Sequence, residues 1–135
     1  MYEGLEEFAI LGLKLGEAGL MGGGAAGHEL DRADERLGTP RHAIIVGRAV
    51  LTNPTYQPVN EERRDHTWPA QREESIRSDL TSFETARGGA VFPVGSMNFI
   101  GALPVSDYTN VAAKLIVNIV RRFADPKPFQ PPIAD

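Results

Sequence analysis

The alternation of apolar and polar residues is most regular between Gly88 and Phe123, where a short apolar run is followed by a helical stripe. The run is Ala90–Val94, opened by a pair of glycines, and its β-branched and aromatic residues predict a buried central strand. Pro93 lies within the run and removes one backbone donor, which indicates a sheet edge or a bulge at that point.

The stripe that follows predicts an amphipathic helix. Ser106, Asp107 and Thr109 are candidate caps for its first amides, and Arg121–Arg122 suits its last turn, where the helix dipole favours cations. A strand that leads into such a helix predicts an α/β fold. The apolar residues that share one face of the helix are Val111, Ala112, Leu115, Ile116, Ile119, Val120 and Phe123.

Further strands are predicted on the N-terminal side. His42–Val46 is an apolar run typical of a buried strand. Asp79–Thr85 is predicted to pair with the central strand through a turn at Ala86–Gly89. Met1–Leu15 fits either a helical face or a strand from Phe8 to Leu13, and both alternatives stay open.

The chain of 135 residues is expected to be one domain, or part of a larger α/β domain, because these few strands need more sheet to cover them. Residues 52–78 carry prolines and mixed charge and predict a solvated excursion. His66 and Trp68 are its unusual members, and they are predicted to pack as aromatic side chains on the protein surface. The four predicted segments are a Gly-rich loop and strand region (1–51), the charged excursion (52–78), a strand pair with the terminal helix (79–125) and an extended tail (126–135).

Composition narrows the function classes. The net charge is −4, and the few paired arginines make no basic surface, so a nucleic-acid partner is not expected. The chain has no cysteine, which excludes disulfides, thiolate catalysis and cysteine-based metal sites. Neither a membrane span nor a signal-peptide layout is recognisable, and we expect a cytoplasmic protein without a membrane partner.

One glycine cluster matches a dinucleotide-binding pattern. Gly22, Gly24 and Gly27 satisfy the G-x-G-x-x-G pattern, whose glycines let a backbone approach a dinucleotide pyrophosphate. Arg48, after the next predicted strand, would suit a 2′-phosphate. The alternative is a tight glycine loop without a ligand, which is common in a chain with 14 glycines.

The densest group of reactive side chains follows this loop, and its members His28, Glu29 and Asp31 are the candidate catalytic residues. A histidine beside a carboxylate can act as a general base, and histidine with glutamate can bind a metal. The structural alternative pairs Glu29 or Asp31 with Arg32, or uses one of them to cap the following turn. A second polar group, Ser96, Asn98 and Asp107, lies after the central strand, where ligands usually bind in α/β sheets, although packing and capping explain it equally well.

Three stretches together resemble a known family. They are GGGAAGHELDRADERLGTP (22–40), SDLTSFETARGGAVFPVGSMNFIGAL (78–103) and NVAAKLIVNIVRRF (110–123). In this order and spacing they are similar to the C-terminal region of N,N-dimethylformamidase large-subunit-like proteins. The resemblance covers most of the chain outside 52–78, and it assigns the glycines of residues 22–27 to a family loop.

The resemblance implies an amidohydrolase that cleaves N-substituted formamides to formate and an amine. It also implies a mononuclear iron held by tyrosine and glutamate side chains, but those ligands lie upstream of the matched region. We therefore expect no metal ligand, no cofactor-binding residue and no complete active site in this chain. The expected partner is the remainder of the large subunit or a partner subunit, in an oligomer. The alternatives are a non-catalytic structural or interaction module and a nucleotide-binding domain.

Overall fold

The computed structural model describes residues 25–27, 29–50 and 76–130, and the structural statements below concern these residues. They form a small three-stranded antiparallel sheet with a C-terminal helix, so the predicted α/β class is confirmed. The elements in chain order are a 3-10 helix (Glu35–Leu37), β1 (Ile44–Val50), β2 (Arg77–Glu84), β3 (Ala90–Val91), α1 (Phe99–Ala102) and α2 (Val111–Ala124).

The strand at the centre of this sheet is β2, which pairs with β1 on one side and with β3 on the other. Residues 78–82 are all buried, although serine, aspartate and threonine occupy four of these five positions. The predicted pairing of Asp79–Thr85 with the next strand is confirmed, since Phe83 pairs with Val91 across a short turn.

The prediction that Ala90–Val94 is the central strand is wrong. In the described sheet this run supplies an outer strand of two residues, Ala90–Val91. Pro93 has no amide to donate, and its contact with β2 is made by its carbonyl, which accepts from the Thr81 amide at 3.2 Å. The position at the edge is what Pro93 indicated.

The strand predicted at His42–Val46 is present, but it begins at Ile44 and continues to Val50. A bulge separates Ile45 from Gly47 in its pairing with β2. The predicted burial is wrong within the described residues, because Ile44 is 57% exposed and Ile45 43% exposed. The cause is that β1 is the other outer strand of the sheet, from which Val46 packs against the core.

The terminal helix begins one residue after Asn110, which is its cap in place of the predicted Ser106, Asp107 and Thr109. The Asn110 side chain accepts from the Ala113 amide at 3.0 Å, as an N-cap does. Its amide nitrogen also donates to three carbonyls of the preceding turn, those of Ala102, Leu103 and Val105. Ser106 and Asp107 are excluded from capping because their backbone is left-handed, with φ of 54° and 52°.

The core lies between β2, α1 and α2. Leu115 is its most deeply buried member, at 1% exposure, and Leu80 reaches it from β2. Only part of the predicted apolar stripe belongs to this core, since Val120 is 59% and Phe123 44% exposed. The buried cluster comprises Ala25, Leu80, Phe99, Ala102, Ala112, Leu115 and Ile119.

Several predictions fall on residues outside the described ranges. They concern Met1–Leu15, the first glycines of the Gly-rich loop, His28, and most of the excursion at 52–78 with His66 and Trp68. Of the tail, residues 126–130 are described, and they contain neither helix nor strand. None of the helices in the described ranges is both long and apolar enough to cross a membrane.

Replacing Leu115 with alanine should lower the free energy of unfolding by about 2–5 kcal/mol, because the change removes buried methyl groups and leaves a cavity. Val120→Ala is the matched control on the exposed part of the same helix, and it should change stability by less than about 0.5 kcal/mol. Denaturant unfolding of the purified chain measures both. Equal small losses would contradict the assignment of Leu115 to the core.

Candidate functional site

The segment that carries the candidate catalytic residues, here called the N-terminal segment (25–27 and 29–34), is fastened to the turn before α1. The Gly27 amide donates to the Ser96 hydroxyl at 2.9 Å, and that hydroxyl donates to the Gly27 carbonyl. The Asn98 amide also donates to the Ser96 oxygen, at 3.2 Å. Leu30 forms an isolated β-bridge with Ser96. The hydroxyl of Ser96 is thus buried and fully engaged, so it is a structural group and not an available nucleophile.

The backbone of Asp31 joins this segment to two other parts of the chain. Its amide donates to the Gly95 carbonyl at 2.9 Å, and its carbonyl accepts from the Asp79 amide, also at 2.9 Å. Gly95 has a φ of +66°, and a Cβ at this position would lie 2.5 Å from the Asp79 carbonyl oxygen. Because only glycine permits both this backbone conformation and this approach, Gly95 is where the turn meets β2.

The Asp79 side chain is completely buried and is surrounded by donors. Its carboxylate accepts from Arg48 Nε at 2.6 Å and from Arg48 Nη2 at 3.3 Å. Arg77 Nε donates at 2.9 Å, and so does the Ala33 amide of the N-terminal segment. Arg77 Nη2 also donates to the Ala33 carbonyl at 2.9 Å. We call Asp79, Arg48, Arg77 and the Ala33 backbone the Asp79 cluster.

The electrostatics of the Asp79 cluster favour an ionised carboxylate. Burial by itself raises the pKa of Asp79, but hydrogen bonds from Arg48, the Ala33 amide and Arg77 outweigh it and lower the pKa below its ordinary value. A carboxylate whose pKa is lowered, and which accepts from this many donors, does not accept protons near neutral pH. The cluster therefore holds the fold together and is unsuited to general base catalysis.

The sequence interpretation missed this cluster, although two signals pointed to it. Aspartate is depleted in strands, so Asp79 inside a predicted strand called for a buried partner. Arg77 lies two residues before it and therefore on the same face of the strand. The sequence pattern suggested that Arg48 binds a 2′-phosphate, whereas in the structure Arg48 forms an ion pair with Asp79.

Of the candidate catalytic residues, His28 lies outside the described residues, while Glu29 and Asp31 are both exposed. Glu29 has a left-handed backbone with φ of 44°, which is uncommon for a residue other than glycine. Arg32 Nη2 lies 3.2 Å from Asp34 Oδ2, and the predicted pairing of Arg32 with Glu29 or Asp31 stays a prediction. The catalytic role of His28, Glu29 and Asp31 stays a prediction.

Asp34, in the N-terminal segment, is a second carboxylate that arginines engage. A side-chain hydrogen bond from Arg36 is the main cause that holds the pKa of Asp34 well below its ordinary value, with further bonds from the Arg36 amide and Arg32. Asp34 also caps the 3-10 helix, since its side chain accepts from the Arg36 amide at 3.0 Å. The turn-capping role offered for Glu29 or Asp31 is thus filled by Asp34.

The second polar group is divided by the structure. Ser96 and Asn98 are buried side by side in the turn before α1, whereas Asp107 is exposed in the left-handed turn before α2. They do not form one site. The packing alternative accounts for Ser96, and the capping alternative fails for Asp107 because Asn110 caps the helix.

We tested whether the described residues fit the iron that the resemblance implies. Within 25–27, 29–50 and 76–130 there is no group of three or more histidine, aspartate or glutamate side chains that could hold a metal. Asp79 and Asp34 are instead engaged by arginines. The histidine, aspartate and glutamate side chains of the described residues therefore do not form a site for such an ion.

The nucleotide alternative finds no support at the one glycine of its pattern that is described. The amide of Gly27, which the pattern would direct at a pyrophosphate, donates to Ser96. Gly22 and Gly24 lie outside the described residues.

Comparison with known proteins gives a consistent result. Residues 2–111 match the family model described as N,N-dimethylformamidase beta subunit-like, C-terminal. The chain is 34% identical over 117 residues to the N,N-dimethylformamidase beta subunit of Alcaligenes sp, which covers 85% of this chain and 15% of the relative. It is 32% identical to the protein of the same name from Paracoccus aminophilus, with the same coverage. Both relatives are named beta subunits, so the part of the prediction that named a large subunit is not supported.

Replacing Gly95 with alanine should destabilise the chain more than the same change at Gly38. Both glycines have positive φ, which costs an alanine about 1–2 kcal/mol, but a Cβ at Gly38 meets nothing within 4 Å. At Gly95 the clash with β2 should add about 1–3 kcal/mol. Thermal and denaturant unfolding of the two variants give the difference, and equal losses would contradict the close approach.

Asp79→Asn should lower the free energy of unfolding at pH 7 by about 3 kcal/mol, because it leaves the largely buried Arg77 without its carboxylate. The folded pKa of Asp79 lies below the unfolded value of about 4. Its ionisation therefore stabilises the fold above about pH 4, and this contribution is lost as the pH falls further. Stability measured from pH 7 to pH 2 should decline less steeply in the variant. Asp107→Asn makes the same change at an exposed position, and it should alter stability at pH 7 by less than about 0.5 kcal/mol.

Proposed function

This chain belongs to the family described as N,N-dimethylformamidase beta subunit-like, C-terminal, and we propose that it acts as the C-terminal segment of an amidohydrolase specific for N-substituted formamides. In that reaction the oxygen of water bonds to the formyl carbon and the carbon–nitrogen bond breaks. The nitrogen takes a proton, and the products are formate and an amine. The active site is proposed to be completed outside this chain.

The proposal is supported chiefly by the match to the relatives, which covers most of this chain but only a small part of each relative. The matched region is most of this chain, at 85%, but the chain spans only about 15% of the length of the curated relatives. Most of a relative therefore has no counterpart in this chain. The polar groups of the described residues support the same view, since Ser96 and Asp79 are engaged in holding the fold.

The contribution of this chain to the site is proposed to come from the N-terminal segment. Its backbone is held by Gly95 and Ser96, while Glu29 and Asp31 are exposed next to it. Together with His28, they are the proposed contribution of this chain to a site built mainly from the rest of the protein. The iron implied by the resemblance is proposed to be bound there too, by residues outside this chain.

The partner is proposed to be the remainder of the beta subunit or a partner subunit. The relatives carry the name beta subunit, which supports an assembly of more than one part. The oligomeric state, the cytoplasmic location and the absence of nucleic-acid or membrane partners stay predictions.

A non-catalytic structural or interaction module is the second candidate. The saturated Asp79 cluster favours it, because this cluster stabilises three segments and offers no proton acceptor. The two candidates differ in whether this chain supports turnover when it is joined to the rest of a beta subunit.

The purified chain alone should release neither dimethylamine nor formate from N,N-dimethylformamide and should bind no stoichiometric iron, because most of the relatives' length is missing from it. Chromatographic assay of both products and elemental analysis measure this. About one iron per chain together with formate release would falsify the proposal that the active site lies mostly elsewhere.

A chimera gives the positive test. The Paracoccus aminophilus beta subunit, with its matched region replaced by this chain, should hydrolyse N,N-dimethylformamide, whereas the same protein without that region should not. Glu29→Ala in the chimera separates the two candidates. Turnover reduced at least tenfold with an unchanged melting temperature would support a part in the site, and unchanged turnover would support the structural module.

A further inference from the structure

The helix α2 (Val111–Ala124) is apolar over more of its circumference than the described core covers. Its only polar residues are Lys114, Asn118, Arg121 and Arg122, so ten of its 14 residues are apolar. At 3.6 residues per turn, the four polar residues fall within about 100° of the helix circumference. A helix with so narrow a polar face is typical of a position between two layers of structure.

One side of α2 faces the core. The neighbouring side is exposed from Val117 onwards, although Ala113, on the same side in the first turn, is buried. Ala112, Leu115 and Ile119 are buried against β2 and α1. On the other side three residues spaced three apart are exposed: Val117 at 45%, Val120 at 59% and Phe123 at 44%. We call these three residues the outer band. An exposed apolar strip beside a buried one marks an interaction surface more often than a solvated face.

The charge beside the outer band has one sign. Lys114 and Arg121 lie seven residues apart, on the helix edge next to Val117, and both are exposed. The helix has no acidic residue in any of its turns. In an antiparallel twofold pair centred on Val120, Arg121 would lie against Arg121 of the second copy. A surface that is apolar at its centre and acidic at its edge fits better.

We propose that the outer band of α2 docks onto an apolar, acid-edged surface supplied by the remainder of the beta subunit. The inference rests on the proposed function, in which this chain is a segment of a longer protein. The relatives supply the occupant, since about 85% of their length lies outside the match and α2 begins where the family model ends. The band continues the core of this chain into the core of the assembled protein.

The test uses the absence of cysteine in the chain, which lets a single introduced thiol report on one position. Val120→Cys places the thiol at the centre of the outer band, and Arg87→Cys places it in the exposed β2–β3 turn as the control. The partner is the Paracoccus aminophilus beta subunit expressed without the region that matches this chain. Maleimide labelling is followed by intact mass, which distinguishes this chain from the partner, and light scattering records complex formation independently.

In the free chain both thiols should react at similar rates. In the complex the rate at Val120→Cys should fall at least tenfold, while the rate at Arg87→Cys should change less than twofold. Lys114→Glu should weaken the complex at least tenfold and leave the melting temperature of the free chain unchanged.

The remaining outcomes separate this inference from the proposed function. A complex that forms with the Val120→Cys thiol still reactive overturns the docking surface and leaves the proposed function standing. Failure of the two polypeptides to associate overturns both. Protection of the thiol in the chain alone, increasing with its concentration, assigns the band to a second copy and overturns the choice of occupant.

Discussion

The described structure depends on one buried carboxylate. Asp79 lies on the central strand, and its side chain holds an arginine of the neighbouring strand, an arginine of its own strand and a backbone amide of the N-terminal segment. An aspartate in this position is costly unless each lone pair finds a donor. Because these donors come from three parts of the chain, the charge is stable only when all three are in place, and the cluster links their folding.

The close approach at Gly95 is the second half of the same arrangement. The turn before α1 contacts β2 without a side chain between them, and the Ser78 hydroxyl donates to the Gly95 carbonyl at 2.8 Å. Ser96 then receives the Gly27 amide on the other side of the turn. The exposed residues Glu29 and Asp31 thus stand on a backbone whose position is fixed at both ends, which is what a positioned site needs whether it binds substrate or a partner.

The parts of this fold that were predictable from sequence are those with a local period. The α2 stripe shows its period directly, and the strand at Asp79–Thr85 is marked by the turn at Ala86–Gly89 that follows it. The order of the strands does not follow from hydropathy. The central strand is the one with buried serine and threonine, while the more apolar run, which contains Pro93, supplies an outer strand. The sequence did not predict Asn110 as the cap. The turn before it is left-handed at Ser106, Asp107 and Tyr108, and it contains no glycine that would have marked these residues as a turn and not as the start of the helix. Of the two arginines that bind Asp79, Arg48 lies 31 residues away in the sequence, and no spacing rule predicts that pair.

Among the described residues, the buried polar groups have their hydrogen-bond partners, whereas many large apolar side chains remain exposed. Every buried side-chain nitrogen or oxygen in this part of the chain has a hydrogen-bond partner. Large apolar residues such as Ile44, Val50 and Val120, by contrast, are half exposed or more. A polar group needs only one partner within hydrogen-bond distance. The fraction of apolar surface that is buried, by contrast, grows with the size of the domain. The described residues thus complete their hydrogen bonds among themselves while apolar faces stay exposed. This division agrees with the proposal that a longer protein, of which this chain matches about 15%, covers those faces.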